Sequence, residues 1–199
     1  NTNWFDLLFN NSISQNHAIS FSTGTEKASY YTSLSIMNDP GWTKKSEVKR
    51  YTANVNALYH ISKALSLNLI SNASYRKQKA PGTLSSSVDP VSGEVKRDFD
   101  INPYSYALNT SRTLDPDAYY VRNYAPFNIL HELDNNYIDL NVTDLKFQGE
   151  LKWKPIHKIE LSALGAYKTS MTTQSHTIKD YSNQAWAFRA MDDATMRQA

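Results

Sequence analysis

VKRYTANVNALYHISKALSLNLISNASYRKQ, Val48 to Gln78, alternates apolar with polar residues along most of its length. Tyr51, Ala53, Val55, Ala57, Tyr59 and Ile61 share one face; Thr52, Asn54, Asn56, Leu58 and His60 share the other. Successive side chains of a strand point to opposite faces, so a period of two is a strand pattern. After Ser62, Lys63 and Ala64 the alternation resumes as Leu65, Leu67, Leu69, Ala73 and Tyr75 against Ser66, Asn68, Asn72, Ser74 and Arg76, with Ile70 out of step. Two long strands around so short a turn make an antiparallel hairpin.

The same plan recurs on both sides. Upstream, His17, Ile19, Phe21 and Thr23 alternate with Ala18, Ser20 and Ser22; Thr23 to Lys27 offers a tight turn, and Ala28 to Met37 a second strand. Before them, Asn3 stands as a possible helix N-cap ahead of Trp4, Phe5, Leu7, Leu8 and Phe9. Asn38 to Glu47 reads as a loop, because Pro40–Gly41 favours a turn and Asp39 can bond its own backbone. Downstream, Leu145, Phe147, Gly149, Leu151 and Trp153 face one way, Pro155 to Lys158 turns, and Ile159, Leu161, Ala163, Gly165 and Tyr167 return. Ile138, Leu140 and Val142 have the opposite parity to Leu145, which requires a bulge or a loop contact near Thr143.

Between these hairpins the period disappears for roughly sixty residues after Lys79, a stretch carrying Pro81, Pro90, Pro103, Pro116 and Pro126 and many rings. Loops of that length are uncommon in compact domains and are usually functional. Its Tyr and Phe content argues against simple disorder.

Composition suits β structure that is apolar on one face only. Of 199 residues, 40% are hydrophobic and 12% aromatic, with 13 Tyr, and the mean hydropathy is −0.57. A net charge of +2 is too small to argue for nucleic acid or an anionic membrane surface. Cysteine is absent, which removes disulfides and thiolate metal sites. No signal-peptide pattern opens the chain, and no apolar run reaches the roughly 18 residues of a transmembrane helix. A β-barrel needs neither, since its strands are only alternately apolar.

The connections have a direction. Those after strands one, three and five are short, while those after two, four and six are long, so every long loop falls at one end of the sheet. Short turns at one rim and long loops at the other is the layout of an outer-membrane barrel wall. Tyr51, Tyr59, Tyr75, Trp153 and Tyr167 are expected near strand ends on the apolar face, where an interfacial girdle would lie. The expected fold is all-β: an antiparallel meander of about six long strands with long aromatic loops at one end.

NTNWFDLLF, then NHAISFSTGTEKASYYTSLSIMNDPGW, then VKRYTANVNALYHISKALSLNLISNASY resembles the early barrel of SusC-like (RagA-like) TonB-dependent transporters of Gram-negative bacteria. The family pattern there is roughly a D-W-x-D-x-(L/I)-F lead-in, a hairpin around S-G-G-T-E-K-x-x-Y-Y-x-S, a D-x-x-G loop and an R-Y strand. Asn3 stands where the family often has Asp, and Thr23 where it often has a first Gly. The motifs cover most of the first eighty residues, and topology alone carries the rest.

The resemblance implies a segment of a 22-stranded outer-membrane barrel just after a plug domain. Residues 1–15 would be a short helix or lead-in from the plug, 16–79 barrel strands one to four, and 80–136 a long extracellular loop. Residues 137–178 would be strands five and six, and 179–199 the start of the next extracellular loop. The implied parent imports glycans or oligopeptides, with a SusD-like lipoprotein over its extracellular face and TonB supplying energy; the segment itself would not transport. Asn54, Asn56, Asn68 and Asn72 would face the lumen. An isolated six-stranded sheet has bare edges, so the chain is expected to cover its apolar face with its own loops, by folding over, or by self-association through its edges. The competing reading is a soluble all-β module that recognises carbohydrate or protein through Tyr-rich loops.

No catalytic or metal constellation emerges. HELDNN has His131 and Glu132, but HExxH would need His where Asn135 stands. The oxygen-rich run Asp134 to Asp144 lacks the glycine and terminal glutamate of a calcium loop, and Asp89, Ser92 and Glu94 around Gly93 read as a turn. No serine elbow or Gly-rich phosphate loop is present, so the chain is not read as an enzyme and no cofactor is expected. The candidates for substrate or partner contact are Trp42, Tyr104, Tyr106, Arg112, Tyr119, Tyr120, Arg122 and Tyr124, flat rings with adjacent donors. The alternative for each is packing of the loop on itself.

Overall fold

Six strands pair in a simple meander in the computed structural model, which describes residues 1–82, 87–88, 95–96, 101–122, 125–186 and 189. They are β1 (Gln15–Gly24), β2 (Ala28–Asp39), β3 (Glu47–His60), β4 (Leu65–Pro81), β9 (Asn136–Ile156) and β10 (Ile159–Ile178), antiparallel in the order β1-β2-β3-β4-β9-β10. Between β4 and β9 lie the short pairs β5 (Ser87–Val88) with β6 (Val95–Lys96) and β7 (Tyr120–Arg122) with β8 (Ala125–Phe127). Three short helices complete the order: α1 (Trp4–Leu8), α2 (Pro103–Asn109) and α3 (Ile129–Asn135).

Register makes the alternation of each strand into a property of the whole sheet. Val55 lies opposite Thr32 and Ser71, Ser71 opposite Phe147, and Phe147 opposite Tyr167. Every row of the apolar set therefore falls on one face, from Ile19 and Phe21 on β1 to Leu161 and Tyr167 on β10. The two rows Tyr51–Tyr75 and Tyr59–Leu67 bound the centre of this face. From Tyr51 to Tyr59 is about 27 Å along the strand, which a tilt of about 40° reduces to about 20 Å of height. Tyr167 does not join either boundary: its partner Phe147 places it mid-face.

The short connections, residues 25–27, 61–64 and 157–158, share one rim. There the His60 N–H donates to the Lys27 carbonyl and the Lys154 N–H to that of Ala64, both at 2.7 Å. At the opposite rim β4, β9 and β10 run on past the end of β3, whose Val48 aligns with Gln78 and through it with Leu140.

No bulge occurs at Thr143; β9 keeps unbroken register with β4 and β10 through it. The parity change has the other cause, a loop contact. Ile138 is buried on the polar side of the sheet, where the segment between β4 and β9 folds back as a second layer. Together with α1 that layer forms a core of its own, Trp4, Leu8, Ile101, Ala107, Phe127, Ile129 and Leu133. Side-chain caps start two of its helices: the Asn102 carbonyl oxygen accepts from the amides of Tyr104 and Ser105, and that of Asn128 from Leu130 and His131. Asn3 holds the cap position of α1 but donates to Asp6 instead of accepting from the helix backbone.

Of the three expected ways to cover the apolar face, two do not occur among the described residues: neither the loops nor a folding over of the sheet reaches it. The loops pack instead at the far rim, where Asn136, on the polar face, donates to the Glu132 carboxylate of α3 and its Oδ1 lies 2.6 Å from His176 Nε2. The apolar face stays open, with Leu69, Leu151 and Trp153 each more than 40% exposed, and Leu65 and Leu67 partly buried. β1 and β10 are its unpaired edges among the described residues.

Candidate functional site

Three groupings at the long-loop rim and on the polar face bring functional side chains together. The first is an aromatic ladder. α1 and the β2–β3 loop are tied by Asn10 N–H to the Trp42 carbonyl (2.9 Å), Lys44 N–H to the Leu8 carbonyl (2.8 Å) and a bridge between Phe9 and Thr43. The loop turns where the chemistry required: the Asp39 carboxylate accepts from the Gly41 N–H at 3.0 Å, and Gly41 takes φ +70°, a left-handed conformation open to glycine. Phe5 stacks on Phe9 at 5.4 Å, Phe9 meets Trp42 at 5.3 Å, and Tyr104 closes on Trp42 at 6.0 Å. Trp42 is 62% exposed and Tyr104 46%, so two ring faces of a four-ring cluster remain open to solvent.

The second grouping is a buried polar latch. Glu132 is 1% exposed, and its carboxylate accepts from the Asn183 backbone N–H at 2.6 Å and from the Asn136 amide at 3.1 Å. The Asn183 side chain donates to the carbonyls of Arg122, Ala125 and Pro126, which ties the stretch after β10 to β7, β8 and α3. His176 Nε2 lies 2.6 Å from Asn136 Oδ1, and a Cβ at Gly82 would fall 1.8 Å from that same oxygen. Only a glycine admits so close an approach.

Burial raises the Glu132 carboxyl above its usual range, against the hydrogen bonds that favour the ion. A raised carboxyl takes up its proton more readily in the folded than in the unfolded chain. The latch is thus most stable below the ordinary glutamate range and weakens as pH rises through the higher folded value. Amide protection of Asn183 and its neighbours, corrected for intrinsic exchange, is expected to be greater below the ordinary glutamate range than well above it. Glu132→Gln is expected to flatten that difference, and an unchanged pH dependence in the variant would show that another group controls it.

The third grouping is the polar face. Asn72 donates to Asn54 Oδ1 (2.6 Å) and Asn54 to Ser33 Oγ (3.1 Å), a side-chain ladder across β2, β3 and β4. Asn56 and Asn68 lie on the same face beside Leu58 and Tyr31, lining a shallow groove.

The candidate residues read from the sequence divide among these places. Trp42 and Tyr104 come together in the ladder. Tyr106, Tyr120 and Arg122 turn into the loop core: Tyr106 sits edge-on to Trp4 at 5.2 Å, Tyr120 on Phe127 at 5.4 Å, and the Arg122 guanidinium over Phe127 at 5.0 Å. Burial pushes the Tyr106 phenol above its usual range. Tyr119 is exposed against His131, and Arg112 is exposed with its carbonyl accepting from the Thr2 N–H. Tyr124, Asp89, Ser92, Gly93 and Glu94 lie outside the described residues. In HELDNN the side chains diverge: His131 donates to the Tyr181 carbonyl, Glu132 turns inward, and Asp134 pairs with Lys45 at 2.6 Å. Among the described residues no three His, Cys, Asp or Glu converge. Phe5 and Phe9 were missed as site residues, although their spacing of four in a helical lead-in is the signal for a shared face.

A single open antiparallel sheet, apolar across one face and polar across the other, with short turns at one rim and a folded loop layer at the other, is a segment of β-barrel wall. Its relatives agree with that architecture. The chain is similar to a stretch of SusC-like TonB-dependent transporters. It is 34% identical over 79 residues to a TonB-dependent receptor of Formosa agariphila, covering 40% of this chain and 8% of that protein. It is 38% identical over 56 residues to the TonB-dependent receptor SusC of Bacteroides thetaiotaomicron, covering 28% and 6%. The fold matches the RagAB peptide transporter with a TM-score of 0.69 at 18% identity, over 88% of this chain and 19% of that one. The RagAB peptide importer in its closed-closed state gives 0.69 at 17% identity, over 92% and 20%. The matched part of the chain spans less than a tenth of the length of these curated relatives. No protein-family model matches it.

Proposed function

We propose that the chain forms part of the barrel of an outer-membrane, TonB-dependent importer of the SusC type. Its polar face, with Asn54, Asn56, Asn68 and Asn72, lines the lumen, and its long-loop rim faces the cell exterior. The observation that carries this reading is the single apolar face running unbroken across all six strands while every short turn falls at one rim. The soluble-module reading needs Tyr51, Val55, Leu67, Leu151 and Leu161 to meet in one core; instead they lie side by side on one open face.

The imported nutrient is a glycan or an oligopeptide, and a SusD-like lipoprotein closes over the rim. The exposed rings of Trp42 and Tyr104 are the contact we assign to that lipoprotein or to the nutrient, since flat aromatic faces dominate protein interfaces and stack on sugar rings. The test is made in the parent protein in its own cells. Fractionation is expected to place it in the outer membrane, and its deletion to abolish growth on one glycan or peptide source. Trp42→Ala with Tyr104→Ala is expected to weaken lipoprotein co-purification or nutrient binding about tenfold or more while leaving outer-membrane levels intact. A water-soluble parent would overturn the transporter reading; unchanged binding in the double variant would overturn the role of the ladder.

A further inference from the structure

Two cross-strand pairs on the polar face set like charges directly opposite one another. Arg50 on β3 faces Arg76 on β4, and Lys146 on β9 faces Lys168 on β10. Directly opposed like charges destabilise an antiparallel pair. None of the four side chains forms an ion pair among the described residues, whereas Lys152 and Lys154 lower on the same strand are matched by Glu150 and Glu160. The Arg76 Nε is shielded from solvent and makes no hydrogen bond. Asp144 is the one carboxylate in the rows between the two pairs, on β9, so four cations stand against one anion. The arginine pair lies just inside the long-loop rim, and the lysine pair about 13 Å further down the wall, four residues along β4 from Arg76 to Asn72, the partner of Lys146.

We propose that these pairs form an anion track, and that the solute entering through this wall carries carboxylate or sulfate groups. The inference rests on the importer reading above and deepens it by naming the chemical class of the cargo. Two guanidinium forks at the mouth suit bidentate capture of a carboxylate or sulfate, and the lysines below provide a second, looser station. An anionic solute of two or more charges relieves both repulsions at once. A position at the rim favours a solute arriving from outside over an acidic segment of the protein packed permanently inside the barrel.

The test uses the parent protein purified in detergent and four probes: hexa-aspartate and tetragalacturonate, with the neutral hexaserine and maltotetraose. At least one acidic probe is expected to bind more tightly than its neutral counterpart, with affinity falling steeply as salt is raised; which of the two does so separates an acidic peptide from an acidic glycan. The Arg50→Gln/Arg76→Gln and Lys146→Gln/Lys168→Gln variants are each expected to weaken it roughly tenfold and to flatten the salt dependence. Lys77→Gln, a cation on the same strand facing the other way, is expected to leave it unmoved. Acidic probes binding no better than neutral ones, or double variants with unaltered affinity, would overturn the anion track. So would a lowered melting temperature with affinity unmoved, which would assign the cations to an acidic partner within the protein. Should the glutamine variants fail to fold, a flat salt dependence of the wild type would be equally decisive. Outer-membrane location is measured in parallel, so the importer reading stands or falls separately.

Discussion

Phe147→Arg is expected to remove the parent protein from the outer membrane, whereas Gln148→Arg, its neighbour on the other face, is expected to be tolerated. Phe147 is 52% exposed and lies mid-way between the two tyrosine rows. In a water-soluble protein an arginine at so open a position changes stability by no more than about 0.5 kcal/mol. At the middle of a lipid-facing band the same arginine costs about 2–4 kcal/mol. The two readings of the apolar face therefore differ in outcome by a large margin at a single residue. Quantifying the heat-modifiable, folded barrel in outer-membrane fractions checks it, and equal levels of the two variants would sink the lipid-facing assignment.

The second large effect belongs to the loop layer. Phe127 is fully buried, touched by Tyr106, Tyr120 and the Arg122 guanidinium. Phe127→Ala deletes the ring around which that layer packs and is expected to cost about 3–5 kcal/mol. The loss is local, because the sheet draws its order from backbone ladders that do not involve Phe127. Hydrogen exchange is expected to show faster exchange over residues 101–135 and 181–186 with β3, β4 and β9 unchanged. Uniform deprotection of the whole chain would mean that layer and sheet unfold together.

The strands were legible because one face of each is apolar, and a period of two survives any tertiary context that keeps one side greasy. Ala28 and Leu65 mark strand starts in both sequence and structure for that reason. The loop layer was not legible, because its order comes from contacts with no local period: Trp4 with Tyr106, and Glu132 with Asn183, lie far apart in the chain. The packing of Tyr106 on Trp4, and of Tyr120 and Arg122 on Phe127, was hidden for the same cause, since aromatic content alone does not tell a packed ring from an open one. Trp42 was separable, as it sits in a turn that Asp39 and Gly41 hold apart from the layer's core. The parity change at Thr143 was visible in sequence as a conflict; the unbroken register of β9 excludes the bulge, and the burial of Ile138 on the polar side points to a contact.

The break between β4 and β9 also sets an order of events. β1 to β4 pair through connections of a few residues, and β9 pairs with β10 across a two-residue turn, so both blocks can form from local contacts alone. Joining them at the β4–β9 seam closes residues 82–135. Relative to the turn at 61–64, that closure carries about 2 kcal/mol more chain entropy. If the loop layer condenses first, its ends are already drawn together and the seam closes at little further cost. The layer built around Phe127 then acts as a clasp during assembly, and slow zippering of two preformed sheets is the kinetic signature expected when that clasp is lost.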